Sequence, residues 1–155
     1  MKRTALASLT GAALLAAGVA VLPGWTEDKT RPSLPYTDTT RIAEGAVVYE
    51  TYCASCHGIN LEGEPNWMDR KDDGYLPAPP HDETGHTWHH DNELLMRIVR
   101  DGTEAIVGGT YKSNMIGFGD VLTDEQIASV LGYIKSTWPT EIQEIHNEIN
   151  SRTLP

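Results

Sequence analysis

Cys53-Ala54-Ser55-Cys56-His57 is the run in this chain whose residue types and spacing dictate a specific chemistry. In a C-x-x-C-H motif, two thiols three positions apart can form thioethers to the two vinyl groups of one porphyrin. The adjacent histidine is then held under the iron, where its imidazole serves as an axial ligand. Cys53 and Cys56 are the only cysteines, so no other use competes for them. A disulfide between them would close a very small, strained loop and leave His57 unexplained. A thioredoxin-like redox site expects a βαβ context, whereas the flanking pattern here is helical. A tetrahedral zinc site needs two more thiols or histidines at suitable spacing. The motif therefore predicts one covalent haem c, attached through Cys53 and Cys56, and no second C-x-x-C-H follows.

The iron's sixth position decides between electron transfer and ligand chemistry. Met68 lies only eleven residues after His57, a short path around a haem edge. Met96 falls inside a predicted helix, where packing is the simpler use. Met115 sits in the loop Asn114-Met115-Ile116-Gly117-Phe118-Gly119, which can bend a thioether onto iron more freely than a helix can. Met115 is the expected ligand, and a histidine from the loop described next is its main rival.

That loop holds His81, His86, His89 and His90, with Asp82 and Glu83 among them. Four imidazoles and two carboxylates in ten residues are a candidate second metal site, for copper or zinc. The alternative is that these side chains serve the haem edge, with Trp88 donating its indole N–H to a propionate and the carboxylates capping turns. Arg97 and Arg100 offer either compensation of a propionate charge or favourable charge at a helix C-terminus. His146 reads as solvent-facing.

The elements that must position these groups are helices. Asp38 or Thr39 can cap a first helix over Thr40–Cys53, whose face is Ile42, Ala46, Tyr49 and Cys53. Gly45 beside that face implies close approach by another helix. Asp91 can cap a second helix over Asn92–Asp101, ending before Gly102. Thr123-Asp124-Glu125-Gln126 is a capping box opening a third, with Ile127, Val130, Leu131, Ile134 and Trp138 on one face and Pro139 ending it. Long Gly- and Pro-rich loops, 58–90 and 103–121, connect them. A tail helix over Glu141–Asn150 carries Ile142, Ile145 and Ile149 on one side.

The chain's 155 residues divide into a leader (1–22), a linker (23–38), a domain (39–139) and a tail (140–155). Lys2 and Arg3 followed by the apolar run 5–22 are the layout of a secretory signal, or of an N-terminal membrane anchor at the lower limit of spanning length. Either reading puts the domain on the periplasmic side of an inner membrane. The formal charge is −10, and −12 without Lys2 and Arg3. Such a surface repels nucleic acid and favours a redox partner with a basic face.

The order helix, C-x-x-C-H, loops, middle helix, Met loop, capped last helix resembles a class I cytochrome c over roughly Thr40 to Trp138. The run from Met115 to Ile127 is especially similar to that family's methionine loop and last helix. The resemblance implies an all-α cytochrome c fold, with three core helices around one covalent haem, His57/Met115 ligation and single-electron transfer. It implies that Gly45 and Tyr49 cross Tyr133 closely. It also implies a proline carbonyl against the His57 ring nitrogen, Pro79 being the best match, which fixes the imidazole. The family usually has proline after the methionine, and here Ile116 stands there. Two other readings stay open: a haem subunit of a larger oxidoreductase, docked through the tail helix, and a haem- and copper-handling sensor using the histidine loop. Peroxidase-like chemistry would need an open sixth position.

Overall fold

The computed structural model describes residues 32–152. The expected leader, most of the linker and the last three residues lie outside them.

Helix α1 (Thr39–Tyr52) begins where Asp38 turns its carboxylate onto the backbone N–H groups of Thr40 and Arg41, at 2.9 and 3.2 Å. These are donors that the helix start leaves without intrahelical partners. A single turn, α2 (Ala54–His57), carries the second half of the haem motif. The following loop contains a 3-10 turn at Thr87–His89. Then come α3 (Asn92–Asp101), capped by Asp91, and the short α4 (Thr103–Val107). Last are α5 (Asp124–Thr137) and α6 (Thr140–Arg152). The capping box at α5 is complete: the Thr123 hydroxyl accepts from the Gln126 N–H, and the Gln126 side chain accepts from the Thr123 N–H. Among the described residues no strand forms, and a lone antiparallel bridge joins Gly102 to Ile116.

The core is the crossing of α1 and α5. Val48 and Tyr49 bury against Ile127, Val130, Leu131 and Ile134, with Leu95 and Met96 of α3 closing the layer. Gly45 lies directly on the Ser129 carbonyl, and the rings of Tyr49 and Tyr133 meet 5.6 Å apart. The fold is therefore the all-α arrangement expected, with the close crossing at the expected residues.

Three local differences have physical reasons. Residues 32–38 do not behave as a spacer: Leu34 is in the core, Pro35 covers Gly132, and the Tyr36 ring lies under the Lys135 ammonium at 4.1 Å. Helix α4 arises inside the second expected loop, where Glu104 takes the Ser113 N–H at 2.8 Å. His146 is fully buried rather than solvent-facing. Its Nε2 donates to the His90 carbonyl at 2.9 Å and its ring meets Trp138 edge-on at 5.3 Å, because α6 folds back onto the histidine loop. That docking also takes Ile142 onto the core, so the tail's apolar side is partly used by the domain itself.

Candidate haem-binding site

The motif occupies one continuous turn. The backbone N–H groups of Cys56 and His57 both donate to the Cys53 carbonyl, at 3.1 and 2.9 Å. This turn sets the two thiols and the imidazole at a fixed mutual spacing. Both cysteines are free, Cys53 half-buried and Cys56 exposed. Burial, with the neighbouring Cys56 adding to it, pushes the Cys53 thiol up to about 11. Tyr49 anchors the motif from α1, its hydroxyl donating to the Gly58 carbonyl at 2.8 Å.

His57 is 6% exposed. Its Nδ1 lies 2.8 Å from the Pro79 carbonyl, so Nδ1–H donates and Nε2 keeps its lone pair. Burial holds this imidazole below its ordinary pKa, despite the Pro79 bond and nearby Glu64, and so favours the neutral form that ligation requires. The carbonyl is itself held in place. Glu64 brackets the residue before Pro79, its N–H donating to the Ala78 carbonyl at 2.8 Å and its carboxylate accepting from the Ala78 N–H at 2.7 Å. That second bond is the main reason the Glu64 carboxyl sits below the usual range. Two free thiols on one turn, beside a neutral imidazole with Nε2 available, form a donor set that fits a covalently held haem c.

The methionines separate by environment. Met68 is exposed in its loop and Met96 is packed in the core. Met115 is half-buried in a loop stitched to α3 and α4: its N–H meets Ser113 Oγ at 3.0 Å, its carbonyl accepts from Thr103, and Phe118 and Gly119 donate to the carbonyls of Val99 and Arg100. Arg100 is drawn to Asp124 at 2.7 Å.

The four loop histidines do not converge. His81 stacks on His57, with ring centroids 4.0 Å apart, while His86 stacks on Trp67 and His89 on Trp88. His90 meets His86 edge-on. Among the described residues no group of three or more His, Cys, Asp or Glu side chains is arranged to hold a metal ion. Among the described residues these four imidazoles are not gathered around one point: three stack on His57, Trp67 and Trp88, and only His86 and His90 meet each other. Trp88 donates its N–H to the Glu83 carbonyl at 3.2 Å, across the 3-10 turn.

Sequence reasoning missed the contact of His81 with His57. A signal was present: a chain that presents its carbonyl to a ring at Pro79 returns a side chain to the same place two residues later. The burial of Lys135 and His146 carried no such signal.

This all-α domain, with its C-x-x-C-H turn, proline-braced histidine and methionine loop, is a class I c-type cytochrome. Residues 42–138 match the cytochrome c family, to which the chain belongs, and that family binds covalent haem c. The chain is similar to the Cbb3-type cytochrome c oxidase subunit FixP of Sinorhizobium medicae (strain WSM419), at 31% identity over 102 residues, covering 66% of this chain and 32% of the relative. The protein of the same name from Azorhizobium caulinodans is 28% identical over 94 residues, covering 61% of this chain and 28% of the relative. The chain thus spans less than a third of the length of these curated relatives. No solved structure matches it.

Proposed function

We propose that this chain is a single-haem electron carrier in which His57 and Met115 hold the iron from opposite sides. The observation that carries the reading is His57 itself: buried, neutral, braced by Pro79 through Nδ1, and adjacent to two free thiols on one turn. The bound haem supplies one-electron exchange between ferric and ferrous iron. The protein's part is to keep both ligands fixed in the two states, and methionine ligation with burial favours the ferrous form. In this reading the chain makes and breaks no substrate bonds.

The partner is a redox protein with a basic face, met through a small, quickly released contact. The net charge of −10 supports this, and the transfer rate should fall as salt rises. The site of action is the periplasm, with residues 5–22 either removed or serving as the tether. Among the described residues no helix is long and apolar enough to cross a membrane.

A second reading, as the haem subunit of a larger oxidoreductase, is favoured by the name of the two relatives. Size-exclusion chromatography of a membrane extract separates the two: a stable complex with another polypeptide supports the subunit.

The ligand assignment is tested by absorption spectra in both oxidation states. The weak far-red band of sulfur bound to ferric haem should be present and should vanish in Met115→Ala. A wild type that is high-spin, or bis-histidine without that band, would overturn it.

A further inference from the structure

His81 lies against the face of His57, with centroids 4.0 Å apart and planes 24° from parallel. Its place is fixed from several directions. Its Nδ1 is 2.8 Å from the Thr87 hydroxyl, its N–H donates to the Leu61 carbonyl at 2.8 Å, and its carbonyl accepts the Trp138 indole N–H at 2.7 Å. Tyr49 meets its ring edge-on at 6.4 Å. An imidazole held this firmly is a wall rather than a filler.

We propose that His81 is a positioning residue for the iron-bound imidazole, setting the plane of the His57 ring by stacking on it. The inference rests on the reading of His57 as an axial ligand. A single N–H···O bond to Pro79 leaves the ring considerable angular freedom, because such bonds tolerate deviations of tens of degrees before they weaken steeply. A flat partner on one face removes that freedom, since tilting the ring drives its edge into its neighbour. Thr87 keeps the wall upright. Trp138, at the end of α5, ties the wall to the helix that closes the domain.

The test is made on the haem-loaded protein, by proton NMR of the ferric state. The hyperfine-shifted haem methyl resonances report the orientation of the axial ligands. His81→Leu removes the flat partner and should change the order or spread of those resonances. His81→Phe keeps a flat ring but loses the Thr87 bond, so its pattern should lie between wild type and the leucine variant. Thr87→Val leaves His81 in place but frees its Nδ1, and should shift the pattern toward that of the leucine variant. A merely structural role would lower stability in all the variants without sorting them this way. If His81→Leu and Thr87→Val both keep the wild-type pattern, the proposal is overturned. If the leucine variant fails to load haem, Thr87→Val decides by the same criterion: a wild-type pattern in it overturns the proposal. Failure of the underlying reading is seen separately, in wild type: a ferric spectrum lacking low-spin histidine ligation overturns both.

Discussion

Gly45 of α1 faces the Ser129 carbonyl of α5 with no room between them for a methyl group. A Cβ at Gly45 would also come within 2.9 Å of the Tyr133 Cβ. Alanine is the better helix former by up to about 1 kcal/mol, but overpacking against atoms that cannot move costs about 1–3 kcal/mol. The obstruction here is backbone, so the clash wins. Gly45→Ala should destabilise the protein by roughly 1–2 kcal/mol, read as a lower midpoint in guanidinium chloride. A variant as stable as wild type would show that the α1–α5 crossing is looser than the structure has it.

This crossing was legible in the sequence, because a glycine beside an apolar helical face has few other uses. The three main helices were legible for a similar reason: Asp38, Asp91 and Thr123 are local signals, each satisfying donors within three residues of itself. The covalent motif was legible because its chemistry fixes its spacing. What the chain pattern did not reveal were contacts between segments far apart in sequence. His146 reaches His90, Trp138 reaches His81 and Lys135 lies over Tyr36. Periodicity marks which side of a helix is apolar, and a polar residue on a helix reads as solvated unless its partner is known. The histidine loop misled for the same reason. Proximity in sequence suggested a shared ligand, whereas three of the rings stack on His57, Trp67 and Trp88, which the loop pattern does not reveal.

The cap on α5 should be worth a measurable share of stability. Thr123 fixes the start of the helix that carries more of the core than any other and follows the methionine loop directly. Thr123→Ala removes the side-chain acceptor and should cost about 1 kcal/mol, and Thr123→Ser should recover most of it. Thermal unfolding of the three proteins in the ferrous state checks this.

Two buried bases should shape the pH profile. Burial, the charge of Lys135 and its packing hold His146 down to about 4, against the 6.5 it takes when free. Between those values the unfolded chain carries a proton that the folded one does not, so stability should fall as pH drops from 6.5 toward 4. His146→Gln keeps a donor for the His90 carbonyl and removes the titration, so its profile should be flatter over that window. Lys135 is 2% exposed, with its ammonium bonded to Asn147 and lying over the Tyr36 ring, and burial lowers it to about 8 from 10.5. The unfolded chain holds the extra proton between about 8 and 10.5, so this lysine's contribution rises with pH there. The stability of wild type minus that of Lys135→Met should grow across that interval, measured by denaturant unfolding at each pH. A constant difference would mean that the amine is solvated.

The turn after α3 should control the methionine loop. Gly102 has φ +85°, a conformation that favours glycine, and a Cβ there would meet the Gly117 nitrogen at 2.8 Å and the Met115 carbonyl oxygen at 3.1 Å. Gly102→Ala therefore combines backbone strain with a push on the segment that carries the proposed ligand. The far-red band of the ferric protein should weaken, or disappear at a lower temperature than in wild type, while the thioether-linked haem content is unchanged. Gly108 supplies the control, because it has φ +72° and nothing within 4 Å of an added Cβ. Gly108→Ala carries the strain without the push, so it should keep the band. Equal loss in both variants would assign the effect to backbone strain alone, and an unchanged band in Gly102→Ala would separate this turn from ligation altogether.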